Sequence, residues 1–468
     1  MSLVKLVDPV AAGDLGRVHF IGIGGAGMSG IARILLKRGV PVSGSDSRGS
    51  DLVNELRELG GRIHVGHAAS HIKGVDTVVV STAIRDSNPE LGEALRQGVR
   101  VIPRAAALAS VMAGRTGVAV AGTHGKTTTT SMLTVALQKC GADPSYCVGG
   151  QLVTTGLGAD EGTGEVFVAE ADESDGSFLM LAPDIAVVTN VEPDHLDNYG
   201  DPRAVYDSFG RFVERIAATL IVCADDPGSA ALAPVARARG LKVITYGETE
   251  DADLRVGEIR PDGLGVTFEV RGHGQVRLAV PGRHNALNAA AAIAVAGELG
   301  VSFAEIRDGL AAFTGAKRRF EAKGEAGGVA VFDSYAHHPT ELAADLRAAR
   351  DVVASFSGSG RVIAVFQPHL YSRTRFFADD FGTALGLADE AIVLDVYGAR
   401  EDPEPGVSGA LVAGKVPLPA ERVAYAPQRE SVPALVAGRA RPGDIVLTMG
   451  AGDVTELGPR IVAELAAR

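Results

Sequence analysis

The sequence predicts an α/β fold made of several domains with largely parallel sheets. Two observations lead to this prediction. Short runs of β-branched residues alternate with Ala- and Leu-rich stretches almost from end to end of the chain, which is the pattern of βαβ units. The chain has 468 residues, and at about 150 residues per domain this length suggests roughly three domains, each able to bury a core.

The two end regions of the chain each predict a Rossmann-like domain. In the first region a glycine-rich turn and a helical stretch follow the first strand, and the series closes in a turn-rich segment at residues 113–115. Its predicted strands are residues 18–21, 40–44 and 77–81. The last region has predicted strands at residues 329–332, 362–366, 391–395 and 445–449. We therefore predict domains over residues 1–114 and 320–468.

The middle region predicts a central α/β domain over residues 115–319. Its β-branched runs are residues 118–121, 166–169, 185–189 and 220–223. Between Leu254 and Val280 the pattern changes to strict alternation of apolar and polar residues, with turns at Gly263 and at residues 272–274. Strict alternation is typical of half-buried strands, so we predict a small antiparallel β insertion there.

Composition narrows the class of protein. Lys and Arg number 45 against 57 Asp and Glu, a net charge of −12, whereas general nucleic-acid binders carry a basic surplus. No apolar segment is long enough for a membrane span or a signal peptide. Cys140, Cys147 and Cys223 are too few and too scattered for a disulfide framework or a zinc site. We expect a cytoplasmic protein with reduced cysteines and no nucleic-acid or membrane partner.

A glycine-rich segment with the G-x-G-x-x-G pattern, residues 22–27, follows the first predicted strand. Its glycines Gly22, Gly24 and Gly27 allow the backbone to approach a diphosphate at the start of a helix. Asp46 follows the next strand, where an acid can accept hydrogen bonds from a ribose. In about one case in four such a pattern reflects only the tight packing of a strand against a helix. If a ligand binds, any nucleoside diphosphate group fits the loop, and NAD is only one candidate.

A second phosphate-binding loop is predicted after the strand at 118–121, and it makes the central domain P-loop ATPase-like. The residues are Gly122, Thr123, His124, Gly125, Lys126, Thr127 and Thr128. Amides of this loop would hold phosphates, Lys126 would reach the β/γ oxygens, and the Thr127 hydroxyl would bind Mg²⁺. Val120 stands where the general pattern has its first glycine, so the loop is a shortened variant. ATP binding disfavours a nicotinamide-dependent oxidoreductase, and the further polar sites disfavour a simple ATP-driven switch protein.

Two acidic runs follow the next strands, at residues 170–175 and 190–197. In doubly wound sheets ligands bind beyond the carboxyl ends of the strands, so both runs should face the phosphate loop. Carboxylates and a neutral imidazole there can hold Mg²⁺ for phosphoryl transfer. Any single acid in these runs is more often a solvated loop residue than a ligand, since not all seven can bind the metal.

Three further polar groups lie at helix starts and strand ends. Asn285 and Asn288 share one helix face and suit either a nucleotide edge or a helix cap. A basic cluster at residues 317–319 suits either a solvated linker or closure onto nucleotide phosphates. Polar residues at 333–338 and 367–375 follow two strands of the last region, and arginines at such positions suit carboxylate or phosphate.

Together these segments resemble the Mur ligase family, and the resemblance covers essentially the whole chain. The segments that carry it are residues 21–30, 122–128, 170–175, 190–197, 282–288, 336–341, 367–375 and 448–453. The resemblance implies that the first domain binds the UDP part of UDP-N-acetylmuramate, the central domain binds ATP and Mg²⁺, and the third carries the amino acid. The most similar branch of the family joins L-alanine to the muramoyl carboxylate through an acyl phosphate in cytoplasmic peptidoglycan precursor synthesis. A related recycling branch, which adds a tripeptide to the same acceptor, is the alternative, and we expect a monomer or a weak homodimer.

The resemblance also implies residue roles. Catalytic roles fall on Lys126, Glu170, His195, Asp333 and Arg373, and Mg²⁺ ligation on Thr127, Glu170 and His195. ATP contacts extend from the loop at 122–128 to Asn285, Asn288 and Arg319. Contacts to the UDP-sugar fall on Gly22, Gly24, Gly25, Ala26, Gly27, Met28, Ser29, Asp46, His195, His337, Arg373 and Arg375, the last three near the muramoyl carboxylate and L-alanine. Many relatives carry a second acid after the one that matches Asp333, and this chain has Ser334 there.

Overall fold

The computed structural model describes residues 5–356 and 360–468, and it confirms the α/β class with three sheets of mainly parallel strands. The described residues form two compact units. The first unit contains the chain up to Val256 together with Leu287–Ala312, and the second contains Gly257–Ala286 with Phe313–Arg468. The predicted domain 1–114 and most of the predicted domain 115–319 fall in the first unit, where their buried apolar side chains form a single core cluster. Residues 257–286 and 313–319 of the second predicted domain belong to the second unit.

The first sheet has the strand order β3-β2-β1-β4-β5, and all of its pairs are parallel. Its elements are β1 (Val18–Ile21), α1 (Ala26–Lys37), β2 (Val42–Asp46), α2 (Asp51–Glu58), β3 (Arg62–Val65), β4 (Thr77–Val80), α3 (Pro89–Gln97), β5 (Arg100–Pro103) and α4 (Arg104–Met112). The predicted strand at 40–44 begins two residues late, because β1 fixes the register by pairing Val18 with Val42. The edge strands β3 and β5 escape prediction because most of their side chains are not buried.

The second sheet lies in the first unit with the order β12-β11-β10-β6-β9-β7-β8, and only β8 is antiparallel. Its elements are β6 (Thr116–Ala121), α5 (Lys126–Lys139), β7 (Ser145–Cys147), β8 (Ala159–Asp160), β9 (Val166–Glu170), β10 (Ile185–Val188), α6 (Leu196–Tyr199), α7 (Pro202–Val213), β11 (Thr219–Cys223), α8 (Pro227–Ala230), α9 (Leu232–Ala238) and β12 (Lys242–Gly247). The four predicted strands are confirmed within one or two residues at their ends. The carboxyl ends of β6, β9 and β10 therefore lie side by side.

The predicted antiparallel insertion is confirmed by the pairing of β14 with β15. The elements here are β13 (Leu254–Asp262), β14 (Gly265–Val270), β15 (Gly274–Leu278), α10 (Arg283–Glu298) and α11 (Phe303–Leu310). The start of β13 pairs in parallel with β12, so the insertion continues from the parallel sheet. In the first unit α11 packs closely on α5, since a Cβ at Gly309 would lie 2.7 Å from the carbonyl oxygen of Ala136.

The third sheet lies in the second unit with the order β16-β17-β21-β18-β19-β20, and only β16 is antiparallel. Its elements are β16 (Glu321–Ala326), β17 (Val329–Ser334), α12 (Pro339–Phe356), β18 (Val362–Phe366), α13 (Tyr371–Phe376), α14 (Ala378–Leu385), β19 (Glu390–Val393), α15 (Gly409–Ala413), β20 (Val423–Tyr425), α16 (Val432–Arg439), β21 (Ile445–Met449) and α17 (Leu457–Ala466). Two apolar clusters form the core of this unit. The carboxyl ends of β17, β21 and β18 meet at one edge.

Two observations on the described residues bear on the expectations from composition. Across residues 5–356 and 360–468, no helix combines the length and apolar character that crossing a bilayer requires. The three cysteines are free thiols. Burial raises the pKa of the Cys147 and Cys223 thiols to about 11, so both are protonated at neutral pH.

Candidate active site

The glycine-rich loop after β1 is built as a diphosphate site. Gly22 has a φ of +80°, which glycine adopts at little cost. The carboxylate of Asp46 accepts a hydrogen bond of 2.9 Å from the Gly24 amide, so Asp46 also fixes the loop. Gly25 caps α1 without a side-chain hydrogen bond, which leaves the amides of the first helical turn directed toward a possible anion.

Arg104, at the start of α4, is a basic residue of this site that the sequence did not single out. A Cβ at Gly27 would lie 3.0 Å from Arg104 Nη1, so the guanidinium lies against the first turn of α1. Arg104 Nη2 is also 3.3 Å from Asp172 Oδ2, which connects the two loops of the first unit. Its cationic head adds to the positive end of the α1 dipole.

The second phosphate loop connects β6 to α5, as predicted. Gly125 has a φ of +81° and caps α5 without a side chain, so the amides at the start of α5 face outward as at an anion site. Gly122 has a φ of +128°, and a Cβ there would lie 2.1 Å from Thr189 Oγ1. Both positions therefore require glycine. Although the loop is shorter than the general phosphate-binding pattern, it still connects a complete strand to a complete helix.

Residues at the end of β10 hold this loop in place. The His124 amide donates to Asn190 Oδ1 at 2.7 Å, and the Thr123 amide donates to the Asn190 carbonyl at 3.0 Å. The Thr189 hydroxyl donates to the His124 carbonyl at 2.5 Å. Asn190 lies in the second acidic run but was not predicted as a site residue, because only the register of β10 beside β6 reveals its position.

Lys126 is nearly buried and points back over the loop. Its ammonium donates to the carbonyls of Gly122 and Thr123 at 2.7 and 3.1 Å, and to Glu173 Oε1 at 2.9 Å. Burial lowers the pKa of Lys126, but the carboxylates led by Glu173 outweigh it and raise that pKa, so the side chain stays cationic. Glu173, which sequence reasoning did not select from the first acidic run, is the partner of this lysine.

The residues predicted to bind Mg²⁺ are brought together at the same sheet edge. Thr127 Oγ1 donates to Glu170 Oε1 at 3.1 Å, and the Gly149 amide donates to Glu170 Oε2 at 2.7 Å. In an octahedral Mg²⁺ site with bonds of 2.0–2.1 Å, adjacent ligand oxygens lie about 3 Å apart. The separation and the oxygen chemistry of Thr127 and Glu170 fit such an ion.

His195, the third predicted Mg²⁺ ligand, lies on the loop after β10 and contacts the acid that pairs with Lys126. Its Nε2 is 3.7 Å from Glu173 Oε1 and 3.6 Å from Asp194 Oδ2. The residue has a φ of +54°, a conformation that side-chain-bearing residues seldom adopt and that costs free energy. Glu173 therefore connects His195 with Lys126, and the catalytic roles of Lys126, Glu170 and His195 stay predictions.

The nucleotide-contact residues predicted downstream fall in both units. In the first unit Asn288 lies on the phosphate loop, because a Cβ at Gly125 would be 2.7 Å from Asn288 Oδ1. Asn285 belongs to the second unit and its side-chain amide donates to the Pro281 carbonyl at 2.7 Å. Arg319, also in the second unit, has its guanidinium carbon 5.2 Å from the centre of the Tyr335 ring.

Asp333 is fully buried at the end of β17. Its carboxylate accepts hydrogen bonds from Thr448 Oγ1 at 2.7 Å and from Thr455 Oγ1 at 2.8 Å, and Arg318 Nε lies 3.4 Å away. Arg318 also donates to the carbonyls of Gly450 and Gly452 at 2.6 and 3.1 Å. Arg318, which the sequence placed only in a basic cluster, thus connects Asp333 to the loop after β21.

The two arginines predicted near the substrates differ in environment. Arg373 is 7% exposed, and its Nη1 lies 3.4 Å from His369 Nδ1. The His369 ring is in turn 6.2 Å from that of His337, so these three side chains share one edge of the third sheet. Arg375 is exposed and lies 3.3 Å from Glu404, because residues two apart on α13 point to different sides.

Family models match three successive parts of the chain. Residues 17–116 match the Mur ligase family catalytic domain, residues 120–296 the Mur ligase middle domain, and residues 318–452 the Mur ligase glutamate ligase domain. The UDP-N-acetylmuramate–L-alanine ligase of Thermobifida fusca is 60% identical over 99% of this chain and 100% of its own length. That of Mycobacterium marinum is 54% identical over 97% of this chain and 96% of its own.

Solved structures extend this similarity to the fold. The crystal structure of UDP-N-acetylmuramate–alanine ligase from Thermotoga maritima matches with a TM-score of 0.78 at 27% identity, covering 96% of this chain and 99% of that one. A murein peptide ligase from Psychrobacter arcticus matches with a TM-score of 0.67 at 25% identity, covering 97% and 99%. Because full-length relatives are 54–60% identical to it, the chain belongs to the Mur ligase family.

Proposed function

We propose that the chain is an ATP-dependent ligase that joins L-alanine to the muramoyl carboxylate of UDP-N-acetylmuramate in peptidoglycan precursor synthesis. The observation that carries this proposal is the identity of 53–60% over 97–99% of the chain with proteins named UDP-N-acetylmuramate–L-alanine ligase. Murein peptide ligase is the less similar neighbour in fold. The tripeptide-adding alternative is therefore not favoured.

The division of labour follows the three sheets, with proposed boundaries at residues 1–114, 115–319 and 320–468. The UDP diphosphate would bind at the start of α1, over the amides of residues 26–29 and beside Arg104, with Asp46 near the ribose. ATP would bind at the start of α5, where Asn288 borders the loop. These are the anion-binding ends of two helices, each preceded by glycines that leave the amides accessible.

Lys126 and the acidic edge around it would carry the phosphoryl transfer. Its ammonium would exchange Glu173 for the β/γ phosphate oxygens and stabilise the charge on the transferring group. Thr127 and Glu170, with His195 beside them, would hold Mg²⁺, which neutralises phosphate charge when it is bound. Asn285 and Arg319 are proposed as nucleotide contacts from the second unit.

The reaction needs two steps because a carboxylate is a poor acyl donor. A muramoyl carboxylate oxygen attacks the γ phosphorus of ATP, the bond from that phosphorus to the β-γ bridging oxygen breaks, and ADP leaves with an acyl phosphate remaining. The L-alanine nitrogen then attacks the acyl carbon, a tetrahedral intermediate forms, and phosphate departs with the acyl C–O bonding pair. Positioning of the three substrates supplies much of the acceleration.

In the second unit, Arg373 is proposed to hold a substrate carboxylate through paired hydrogen bonds, with His337 nearby. Asp333, whose oxygens already accept from Thr448 and Thr455, is proposed to act by positioning Arg318 and the loop after β21. Arg375, being exposed, would contribute less.

The function is tested by measuring ADP release with each substrate omitted in turn. We expect full turnover only with UDP-N-acetylmuramate, ATP and an amino acid together. L-Alanine, glycine, L-serine and the murein tripeptide are then compared as acceptors of the acyl group, and L-alanine should give the highest kcat/KM. A higher kcat/KM with the tripeptide would identify the recycling activity instead.

Replacing Arg373 with Ala should lower kcat/KM by about 10–100-fold, the equivalent of one lost charge-assisted hydrogen-bonded contact. Arg375→Ala on the same helix is the matched control. Because Arg375 is exposed and forms an ion pair with Glu404, itself partly exposed, we expect less than about a threefold change. Initial rates at varied L-alanine and UDP-N-acetylmuramate identify which substrate carboxylate Arg373 holds, and equal effects of the two substitutions would contradict the assignment.

A further inference from the structure

Among the described residues, several acidic side chains lie near the carboxyl edge formed by β17, β21 and β18. Three of these acids are already neutralised or bonded. Asp333 faces Arg318 at 3.4 Å. Asp453 is paired with Arg429 and accepts from Gln367. Glu341 Oε2 accepts from the His337 and His338 amides at 2.9 and 3.3 Å.

A fourth acid, Asp345, projects from the second turn of α12 toward the same edge. Its Oδ2 accepts a short hydrogen bond from the hydroxyl of Ser334, the last residue of β17. Ser334 Oγ also accepts from the Ala336 amide at 3.1 Å, so the hydroxyl is oriented toward Asp345. On the other side of the carboxyl group, His284 Nε2 lies 3.9 Å from Asp345 Oδ1.

His284 is held against Asp345 by the turn that precedes α10. Gly282 has a φ of +101°, and a Cβ there would lie 2.6 Å from the His284 ring and 3.1 Å from Ala348 on α12. Only glycine allows the ring and α12 to approach this closely. Ser334, Asp345 and His284 thus form a connected series of a hydroxyl, a carboxyl and an imidazole within the second unit.

The charges around Asp345 favour a proton-accepting carboxylate. Burial raises the pKa of Asp345 to about 6, with Glu341 of the same helix adding to the rise and Ser334 and Arg319 opposing it. Burial also lowers the pKa of His284, so the imidazole is neutral at neutral pH. A carboxylate in these surroundings is a stronger base than an exposed aspartate, because burial outweighs the opposing charge of Arg319.

We propose that Asp345 binds the ammonium group of L-alanine and accepts its proton before the amine attacks the acyl phosphate. This inference rests on the proposed function and assigns the base for its second step. It also explains how the chain tolerates Ser334, because the Ser334 hydroxyl holds at this strand end a carboxylate supplied by α12.

The proton balance is complete with groups already named. The ammonium gives one proton to the Asp345 carboxylate, and the freed nitrogen lone pair forms the C–N bond. When the tetrahedral intermediate collapses, the second proton of the nitrogen leaves on the departing phosphate. Asp345 then returns its proton to solvent, which restores the carboxylate.

The test exchanges the positions of the carboxylate and the hydroxyl. Asp345→Ser should lower kcat/KM for L-alanine by at least about a hundredfold, as expected on removing a general base. The double substitution Ser334→Asp with Asp345→Ser restores a carboxylate at the same strand end and should recover at least tenfold of that loss. Asp351→Ser, on the same helix, is the matched control and should stay within twofold of the unsubstituted chain.

A second readout separates a base from a merely structural role. Hydroxylamine is neutral at neutral pH and needs no base, so Asp345→Ser should retain hydroxamate formation far better than amide formation. Asp345→Asn keeps the shape of the side chain and a hydrogen-bonding oxygen, and it should likewise retain hydroxamate formation far better than amide formation. This variant serves as the test if Asp345→Ser does not fold. The acidic limb of the kcat/KM profile for L-alanine, near pH 6 in the unsubstituted chain, should disappear in the Asn variant.

The outcomes are distinguishable. No hydroxamate from the unsubstituted chain with ATP and UDP-N-acetylmuramate would contradict the proposed function itself. Hydroxamate from the unsubstituted chain, with equal losses of hydroxamate and amide in both Asp345 variants, would overturn only the role of Asp345. Recovery of activity in the double variant Ser334→Ala with Asp345→Ala would also overturn it, because that pair removes the hydrogen bond without restoring a carboxylate.

Discussion

Replacing Lys126 with Ala is expected to lower the rate of ADP formation by about a thousandfold or more. The ammonium lies at the start of α5 within reach of the loop carbonyls and of Glu173, where the β/γ phosphates are proposed to bind. Loss of one preorganised donor to the developing charge typically costs about 10²–10³ in rate, and loss of a cation at a transferring phosphoryl group costs more. A coupled assay of ADP release at saturating ATP measures the change.

Lys139→Ala is the control for this prediction, because Lys139 is the exposed last residue of the same helix. UDP binding, measured by calorimetry, should persist in Lys126→Ala, since the glycine-rich loop after β1 is a separate site. If Lys126→Ala keeps full turnover, the proposed ATP site is wrong. If Lys126→Ala loses UDP binding as well, the substitution has damaged the first unit as a whole. The test is then repeated with Lys126→Met, whose side chain has a similar length but no charge.

The main features of the proposed ATP site could be predicted from the sequence because the residues that define them are local. A strand, two glycines and G-K-T-T before a helix form one continuous segment, and no distant contact is needed to recognise it. Lys126 and Thr127 are positioned by that segment alone. The first acidic run was predicted to face the loop, and β9 beside β6 brings it there.

The partners within that run could not be predicted in the same way. Which acid meets Lys126 depends on how the chain turns after β9, and that turn brings Glu173 to the lysine and Glu170 to Thr127. Arg104 comes from a different helix, 77 residues after Gly27 in the chain, and no local pattern marks it. The register of neighbouring strands and the packing of distant helices decide such contacts. Neither can be predicted from a single sequence.

The segment around residue 318 is the clearest example of a contact that the sequence alone does not predict. The sequence indicates a compact basic cluster, and the family resemblance directs attention to Arg319. In the structure Arg318 has a φ of +59°, and its Nε lies 3.4 Å from buried Asp333. The guanidinium carbons of Arg318 and Arg319 both lie over the Tyr335 ring, 4.7 and 5.2 Å from its centre. The contact with Asp333 thus gives Arg318 a structural role that the basic cluster in the sequence does not indicate.

Replacing Arg318 with Ala is therefore expected to lower the melting temperature of the second unit substantially. The substitution leaves the fully buried Asp333 carboxylate without its closest cation, and it frees the carbonyls of Gly450 and Gly452. Lys323 stays 4.0 Å from Asp333 and partly replaces the lost charge. The loss in free energy of unfolding is therefore at the low end for a broken buried ion pair, about 3 kcal/mol. This corresponds to a decrease of roughly 6–12 °C in Tm. Differential scanning calorimetry measures the shift.

A second substitution identifies the cause of that shift. Asp333→Asn in the Arg318→Ala background removes the unpaired charge while keeping the side-chain shape, so it should recover part of the lost Tm. Arg318→Lys should recover little, because an ammonium does not reproduce the fork that reaches several carbonyls at once. Arg422→Ala, an exposed arginine of the same unit, should leave Tm within about 1 °C, as surface substitutions do. If Asp333→Asn lowers Tm further instead, Arg318 stabilises the loop after β21 through its carbonyl contacts and not through the buried charge.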